Sequence, residues 1–294
     1  MTEGAILRPV ASNVHNHAEP RWSTQKLFLG TFALVAFATI GSASAADLPP
    51  APVYKAPAPP APVYGWTGFY VGANAGYGWD TRPTNFSGTP NIAIEFTGGV
   101  LPTSLSPNPK GWLGGAQLGY NWQFAPAWVA GLEADIAGAG IKGTASVSPV
   151  VAAFPDNFTT TISASTKWLG TARARLGVLP TSNTLLYVTG GLAYGETSVS
   201  FNTAEFTFGG NCAFGPRCAT GTVSSVKAGW TVGGGIEEMI APHWTVKAEY
   251  LYVDLGTQSV TAPTNAPGIV TLTASHTFME NIFRVGVNYK FGGP

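Results

Sequence analysis

Eight segments, each about ten residues long, alternate apolar side chains with small, polar or charged ones, and this constrains the chain more than any other feature. In Trp168–Val178, one face carries Trp168, Ala172, Ala174, Leu176 and Val178, and the other Leu169, Thr171, Arg173, Arg175 and Gly177. A strand alternates faces with period 2, so both arginines point away from a continuous apolar stripe. A soluble sheet would bury the stripe and hydrate the arginines. A membrane barrel does the reverse, with the stripe facing lipid and the charges in a closed interior.

The other segments are Gly68–Trp79, Gly111–Phe124, Trp128–Gly138, Leu185–Gly195, Val226–Glu237, Trp244–Tyr252 and Ile282–Phe291. Eight is an even number, and each segment has about the 9–11 residues that a tilted strand needs to cross a bilayer. The connections alternate. Ala125–Ala127, Leu179–Thr184 and Glu238–His243 are short and each holds a proline, whereas Asp80–Lys110, Ala139–Lys167, Glu196–Ser225 and Asp254–Asn281 are long. Short turns on one side and long loops on the other are the asymmetry of an outer-membrane barrel. The fold expected is all-β, an eight-stranded antiparallel transmembrane up-and-down barrel with both chain ends in the periplasm. Such a ring leaves no unpaired backbone edge in the hydrocarbon layer.

Targeting signals agree with this reading. Leu27–Ile40 is an apolar run preceded by Arg21 and Lys26 and followed by small residues up to Ala46. It falls short of the ~20 residues of a spanning helix and reads as a secretory signal peptide over 1–46, cleaved after Ala45 or Ala46. His15 and His17 precede it and read as incidental. Asp47–Tyr64 is rich in proline and favours an extended, polyproline-like spacer. A periplasmic spacer is expected over 47–66, with docking to the cell wall as its functional alternative, and the barrel over 67–294. Charged residues make up only 10%, with 15 basic and 15 acidic, which argues against nucleic acid as a partner.

With the stripes facing lipid, Glu133, Asp135, Arg173, Arg175, Lys227, Glu237, Lys247, Glu249, Arg284 and Lys290 point inward. An eight-stranded barrel is just wide enough for its side chains to fill it, and buried charges persist only when paired. A crossed salt-bridge network that plugs the lumen is expected, with Glu133 and Asp135 facing Arg173 and Arg175, so that removing the arginines unplugs it. The alternative is a narrow channel for small solutes or ions.

No catalytic site, cofactor or metal site is expected. Beyond the spacer the only histidines are His243, in an expected periplasmic turn, and His276, beside Ser275. Glu280 shares the face of His276 but lies ~13 Å along a strand at ~3.3 Å per residue. These read as polar residues of the outer rim. Cys212 and Cys218 bracket a Gly-Pro turn in the third long connection and are expected to form a disulfide in an oxidising compartment.

The phrase ADLPPAPVYKAP…YGWTGFYVGANAGYGW over Ala46–Trp79 resembles the opening of alphaproteobacterial outer-membrane proteins of the OmpA-like, "porin family" barrel group. Gly111–Phe124, Leu186–Gly195 and VGVNYKF at Val285–Phe291 resemble them also. The resemblance covers almost all of the mature chain. It implies an eight-stranded barrel abundant at the bacterial surface, often immunogenic, without catalytic residues. It also implies an assembly signal at Tyr289 and Phe291 read by the barrel-assembly machinery, although Gly292, Gly293 and Pro294 follow the phenylalanine that such proteins usually place last. The function expected is a structural barrel in contact with outer-membrane lipid and lipopolysaccharide, which displays its loops.

Overall fold

A computed structural model describes residues 65–89, 96–149, 158–205, 218–265 and 270–291. The expected signal peptide and nearly all of the expected spacer lie outside them. The elements are β1 (Gly68–Trp79), β2 (Thr84–Gly88), β3 (Ser104–Leu105), β4 (Lys110–Ala125), β5 (Trp128–Val147), β6 (Phe158–Val178), β7 (Thr184–Glu205), β8 (Ala219–Ala241), β9 (Trp244–Pro263) and β10 (Thr271–Phe291). The eight long strands pair antiparallel in the order β1-β4-β5-β6-β7-β8-β9-β10, and β1 pairs β10 to close the ring. Phe69 stands opposite Phe291, and Trp79 opposite Asn281. β2 and β3 extend the sheet beyond β10.

The outward stripe is exposed where it was expected. Phe69, Leu132, Val188 and Leu192 are each at least 65% accessible, and Trp112 reaches 75%. Two aromatic belts bound the stripe, as in barrels that cross a membrane. The periplasmic belt includes Phe69, Trp122, Trp128, Trp244, Tyr289 and Phe291, and the outer belt Tyr77, Trp112, Trp168, Tyr194, Trp230 and Tyr252. The short turns sit at the periplasmic end.

Beyond the outer belt the structure departs from expectation. Much of what reads as long loops is strand: β5 runs on to Val147, β6 starts at Phe158, β7 reaches Glu205, β8 starts at Ala219, β9 reaches Pro263 and β10 starts at Thr271. Here the ring opens into two sheets. β8 and β9 stay paired only as far as Trp230–Asp254, and β4 leaves β5 at Lys110–Lys142. One sheet is β5-β6-β7-β8. The other is β9-β10-β2-β3, in which β2 takes the edge of β10 that β1 holds lower down. β7 packs across on β9, and the core between the sheets holds Phe86, Ile162, Val199, Phe201, Val260, Leu272 and Phe278. The outer faces carry cross-strand hydroxyl pairs, among them Thr144–Ser163 and Ser146–Thr161 on one sheet and Thr257–Thr277, Ser259–Ser275 and Thr261–Thr273 on the other, with oxygens 2.8–2.9 Å apart.

The chain is therefore apolar outside and charged inside where it faces lipid, and polar outside and apolar inside where it faces water. Two irregularities at the boundary let single strands make the change. In β6 the register slips between Thr166 and Trp168, so Thr160, Ile162, Ala164 and Thr166 point inward above it and Leu169, Thr171 and Arg173 below it. In β9 the slip falls at Gly256, whose φ of 75° belongs to the left-handed region that glycine adopts without cost.

Candidate functional site: a closed lumen

Three layers fill the interior, starting from the periplasmic mouth. Trp66 is completely buried there among Val129, Leu185, Tyr187 and Met239. Its indole Nε1 donates to the Ser182 carbonyl at 3.1 Å, and its backbone N–H to Gln123 Oε1 at 3.2 Å. The expected spacer ended at 66, but this residue closes the barrel.

The charged layer lies next. Glu133 accepts from Lys247 Nζ at 2.8 Å, from the Tyr70 hydroxyl at 2.7 Å and from Arg173 Nη2. Arg173 also reaches Asp135 at 3.0 Å and Glu249 at 2.8 Å, and its Nε donates to Thr171 at 2.9 Å. Arg284 joins Glu249 at 2.7 Å to Asp135 at 2.9 Å. Arg175 pairs with Glu237 and lies with its guanidinium carbon 4.2 Å from the centre of the Tyr187 ring. Glu237 also accepts from Asn288 Nδ2 at 2.9 Å and from the Thr245 hydroxyl. Four carboxylates (Glu133, Asp135, Glu237, Glu249) thus balance four cations (Arg173, Arg175, Lys247, Arg284), all at most 6% accessible. Alternation on neighbouring strands creates this: Glu133 stands directly opposite Arg173, and Glu249 opposite Arg284. An amide chain, Asn74 to Gln117 to Asn288, fills beside it.

Two expected members stand apart. Lys227 lies above Trp230, where β8 and β9 have separated, and its ammonium donates to the Thr257 carbonyl at 3.0 Å. It bridges the split edge and does not enter the network. Lys290 is buried at the periplasmic end but has no carboxylate within 4.0 Å among the described residues.

Above the charges the interior becomes apolar, with Leu113, Ala137, Leu169, Leu251, Val253 and Ile282, and continues into the sandwich core. A second polar cluster is set in this region. His276 Nδ1 lies 2.9 Å from Thr84 Oγ1, and Nε2 lies 3.5 Å from Asp80 Oδ2. Asp80 accepts the Met279 N–H at 3.1 Å and the Arg82 N–H at 2.7 Å. Glu280 accepts from Thr166. His276, Thr84, Asp80 and Glu280 are at most 1% accessible, so the residues expected at an open rim are enclosed. Neither Asp80 nor Thr84 was among the expected site residues, because Thr84 reaches His276 only through the β2–β10 pairing.

Outside the apolar band, exposed Lys167 binds Glu196 at 2.6 Å, and that hydrogen bond holds the carboxyl below the usual carboxylate range. Cys218 is buried and is not a free thiol, while Cys212 lies outside the described residues. Phe291 is half exposed at the periplasmic rim, with the Tyr289 ring 5.2 Å away.

A closed antiparallel ring with an apolar exterior between two aromatic belts and a charged interior defines an integral β-barrel membrane protein. The chain belongs to the outer-membrane protein β-barrel family, whose model matches residues 33–291, and its place is the bacterial outer membrane. The 31 kDa outer-membrane immunogenic protein of Brucella melitensis biotype 1 is 36% identical over 261 residues, which covers 87% of this chain and 95% of that protein. The 22 kDa outer membrane protein of Rhizobium leguminosarum bv. viciae is 27% identical, covering 77% of this chain and 78% of that protein. Among solved structures, the outer membrane protein OprG from Pseudomonas aeruginosa is similar with a TM-score of 0.42 and 14% identity, over 79% of this chain and all of that one.

Proposed function

We propose that this protein is a non-conducting, non-enzymatic barrel that strengthens the outer membrane and holds a rigid β-sandwich at the cell surface. The observation that carries this reading is the stacked closure of the lumen: the Trp66 lid, a charge-balanced network of eight ionised groups, and an apolar core above. Buried ion pairs contribute little net stability, but here they fill a space that must be filled. The Asp80–His276–Thr84 cluster has the acid, imidazole and hydroxyl of a hydrolytic site. Its enclosure supports a packing role instead, since a substrate would have no way in.

The partners of this reading are the lipids and lipopolysaccharide around the barrel, the barrel-assembly machinery acting on Tyr289 and Phe291, and the cell wall through the proline-rich spacer. The sandwich and the connections beyond it would form the antigenic surface, in line with the immunogenic relatives. The test is uptake of small sugars and amino acids by liposomes carrying the folded protein. Swelling rates equal to those of protein-free liposomes are expected. Uptake that falls with solute size would overturn the reading in favour of a narrow porin.

A further inference from the structure

Lys110 and Lys142 are direct cross-strand partners on β4 and β5, both exposed and both on the outward face. Like charges placed directly opposite on a sheet destabilise it, and neither lysine has a hydrogen bond or ion pair to another described residue. Lys167, on the next strand, has Glu196. Among the described residues, no carboxylate serves the pair as a counter-anion. Its height is informative, because Lys110 lies two residues beyond Trp112 of the outer belt on a tilted strand, roughly 5 Å further from the bilayer centre, at the level of the headgroups.

Beneath Lys142, and past Trp112 on the neighbouring strand, the outward surface carries glycines in place of side chains. Gly140, Gly114 and Gly138 all face outward there, and a Cβ added to any of them would come no closer than 3.6 Å to another part of the protein. Inward glycines such as Gly115 are different, with Ile136 O only 2.0 Å from the added atom. Packing thus demands glycine at Gly115 but not at the outward three, whose effect is to leave a trough. Its walls are the aromatic pairs Tyr77–Trp112 and Trp168–Tyr194. Two residues nearer the bilayer centre, Ala116 on β4 and Ile136 on β5 line an apolar groove of about 520 Å³ that also takes in Leu118 and Ala134.

We propose that this face binds a phosphorylated glycolipid of the outer leaflet, with a headgroup phosphate between Lys110 and Lys142 and one acyl chain along the glycine-floored trough. The occupant is the phosphorylated lipid and not free phosphate, because the lysine pair and the apolar groove lie on the same two outward-facing strands, β4 and β5, one above the other. The proposal rests on the membrane-barrel reading and names the partner of its outer surface.

The experiment titrates the refolded full chain in detergent with bisphosphorylated lipid A and reads bound lipid by native mass spectrometry. Dephosphorylated lipid A and the phosphorylated sugar headgroup without acyl chains serve as comparison probes. K110Q/K142Q is expected to weaken lipid A binding about tenfold or more, and removing the phosphates from the lipid should weaken wild-type binding to the same degree. Gly138→Leu, which fills the trough, should weaken lipid A binding and leave the acyl-free headgroup unaffected. K110R/K142R should bind as wild type does, which keeps the test valid should the neutral variant fail to fold. Equal lipid A binding by wild type and folded K110Q/K142Q would overturn the proposal, as would equal binding of phosphorylated and dephosphorylated lipid. So would headgroup binding as tight as that of whole lipid A. A wild type lacking heat-modifiable gel mobility would instead overturn the barrel reading beneath it.

Discussion

Arg173 holds Glu133, Asp135 and Glu249 at once, so its removal would leave three buried carboxylates short of a partner. Breaking a buried ion pair from one side costs about 3–5 kcal/mol, and Arg173→Ala is expected to destabilise the barrel by at least that much in urea unfolding from lipid vesicles. Neutralising partners together, as in Arg173→Met with Glu133→Gln, should recover part of the loss, and a double-mutant cycle would measure the coupling. Glycine supplies a second test at this scale. Gly115→Ala would press a methyl group onto the Ile136 carbonyl and the Ala137 backbone, whereas Gly138→Ala meets open space. A loss of about 1–3 kcal/mol is expected for the first, and about zero for the second. The charge pairing was legible in the sequence because period 2 fixes which side chains face inward, and the adjacent strands β5 and β6 had to bring Glu133 against Arg173. The Asp80–His276–Thr84 cluster was not legible. It depends on β2, a five-residue strand whose pairing with β10 leaves no periodic trace in the sequence.

At the scale of elements, the periplasmic ends of the strands were readable to within a residue or two, because proline turns and aromatic belts mark them sharply; β8 is the exception, running to Ala241 where Glu237 was expected to be its end. The outer ends were not. There the strands alternate Ser or Thr with Ala, Val, Leu or Phe, as in Ser198–Phe201 and Thr271–Ser275, so the hydropathic contrast is weak and the polar residues resemble loop. Slips at Thr166/Trp168 and at Gly256 also break the parity within β6 and β9, and a period-2 reading cannot be carried across them. The sandwich that these extensions build should behave as an ordinary water-facing core. Phe201 is buried there against Phe86, ring centres 6.3 Å apart. Phe201→Ala is expected to cost about 3–5 kcal/mol and to raise hydrogen exchange in the upper parts of β7, β9 and β10. The membrane-level segments of the same strands should keep their protection. Uniform loss of protection along whole strands would contradict the division at the outer belt.

For the whole molecule, chain economy explains why one set of strands can serve two solvents. Between the belts, lipid solvates the outer stripe and the charges solvate one another. Above them, water solvates the hydroxyl rows and the apolar residues turn inward. The Trp66 lid and the upper core also alter what the network alone would imply. Removing Arg173 and Arg175 opens one layer of three, so a double Arg→Ala variant is expected to stay closed, contrary to the behaviour expected of a lumen plugged by charge alone.

The most direct test is planar-bilayer recording of the folded full-length protein beside the variants R173A/R175A and W66A/R173A/R175A. The wild type and the double variant are expected to give no stable unitary openings, because the apolar core beneath the sandwich remains in place. Any leak in the triple variant should be rare and small. Stable, salt-dependent unitary openings in the wild type would contradict the closed-lumen account.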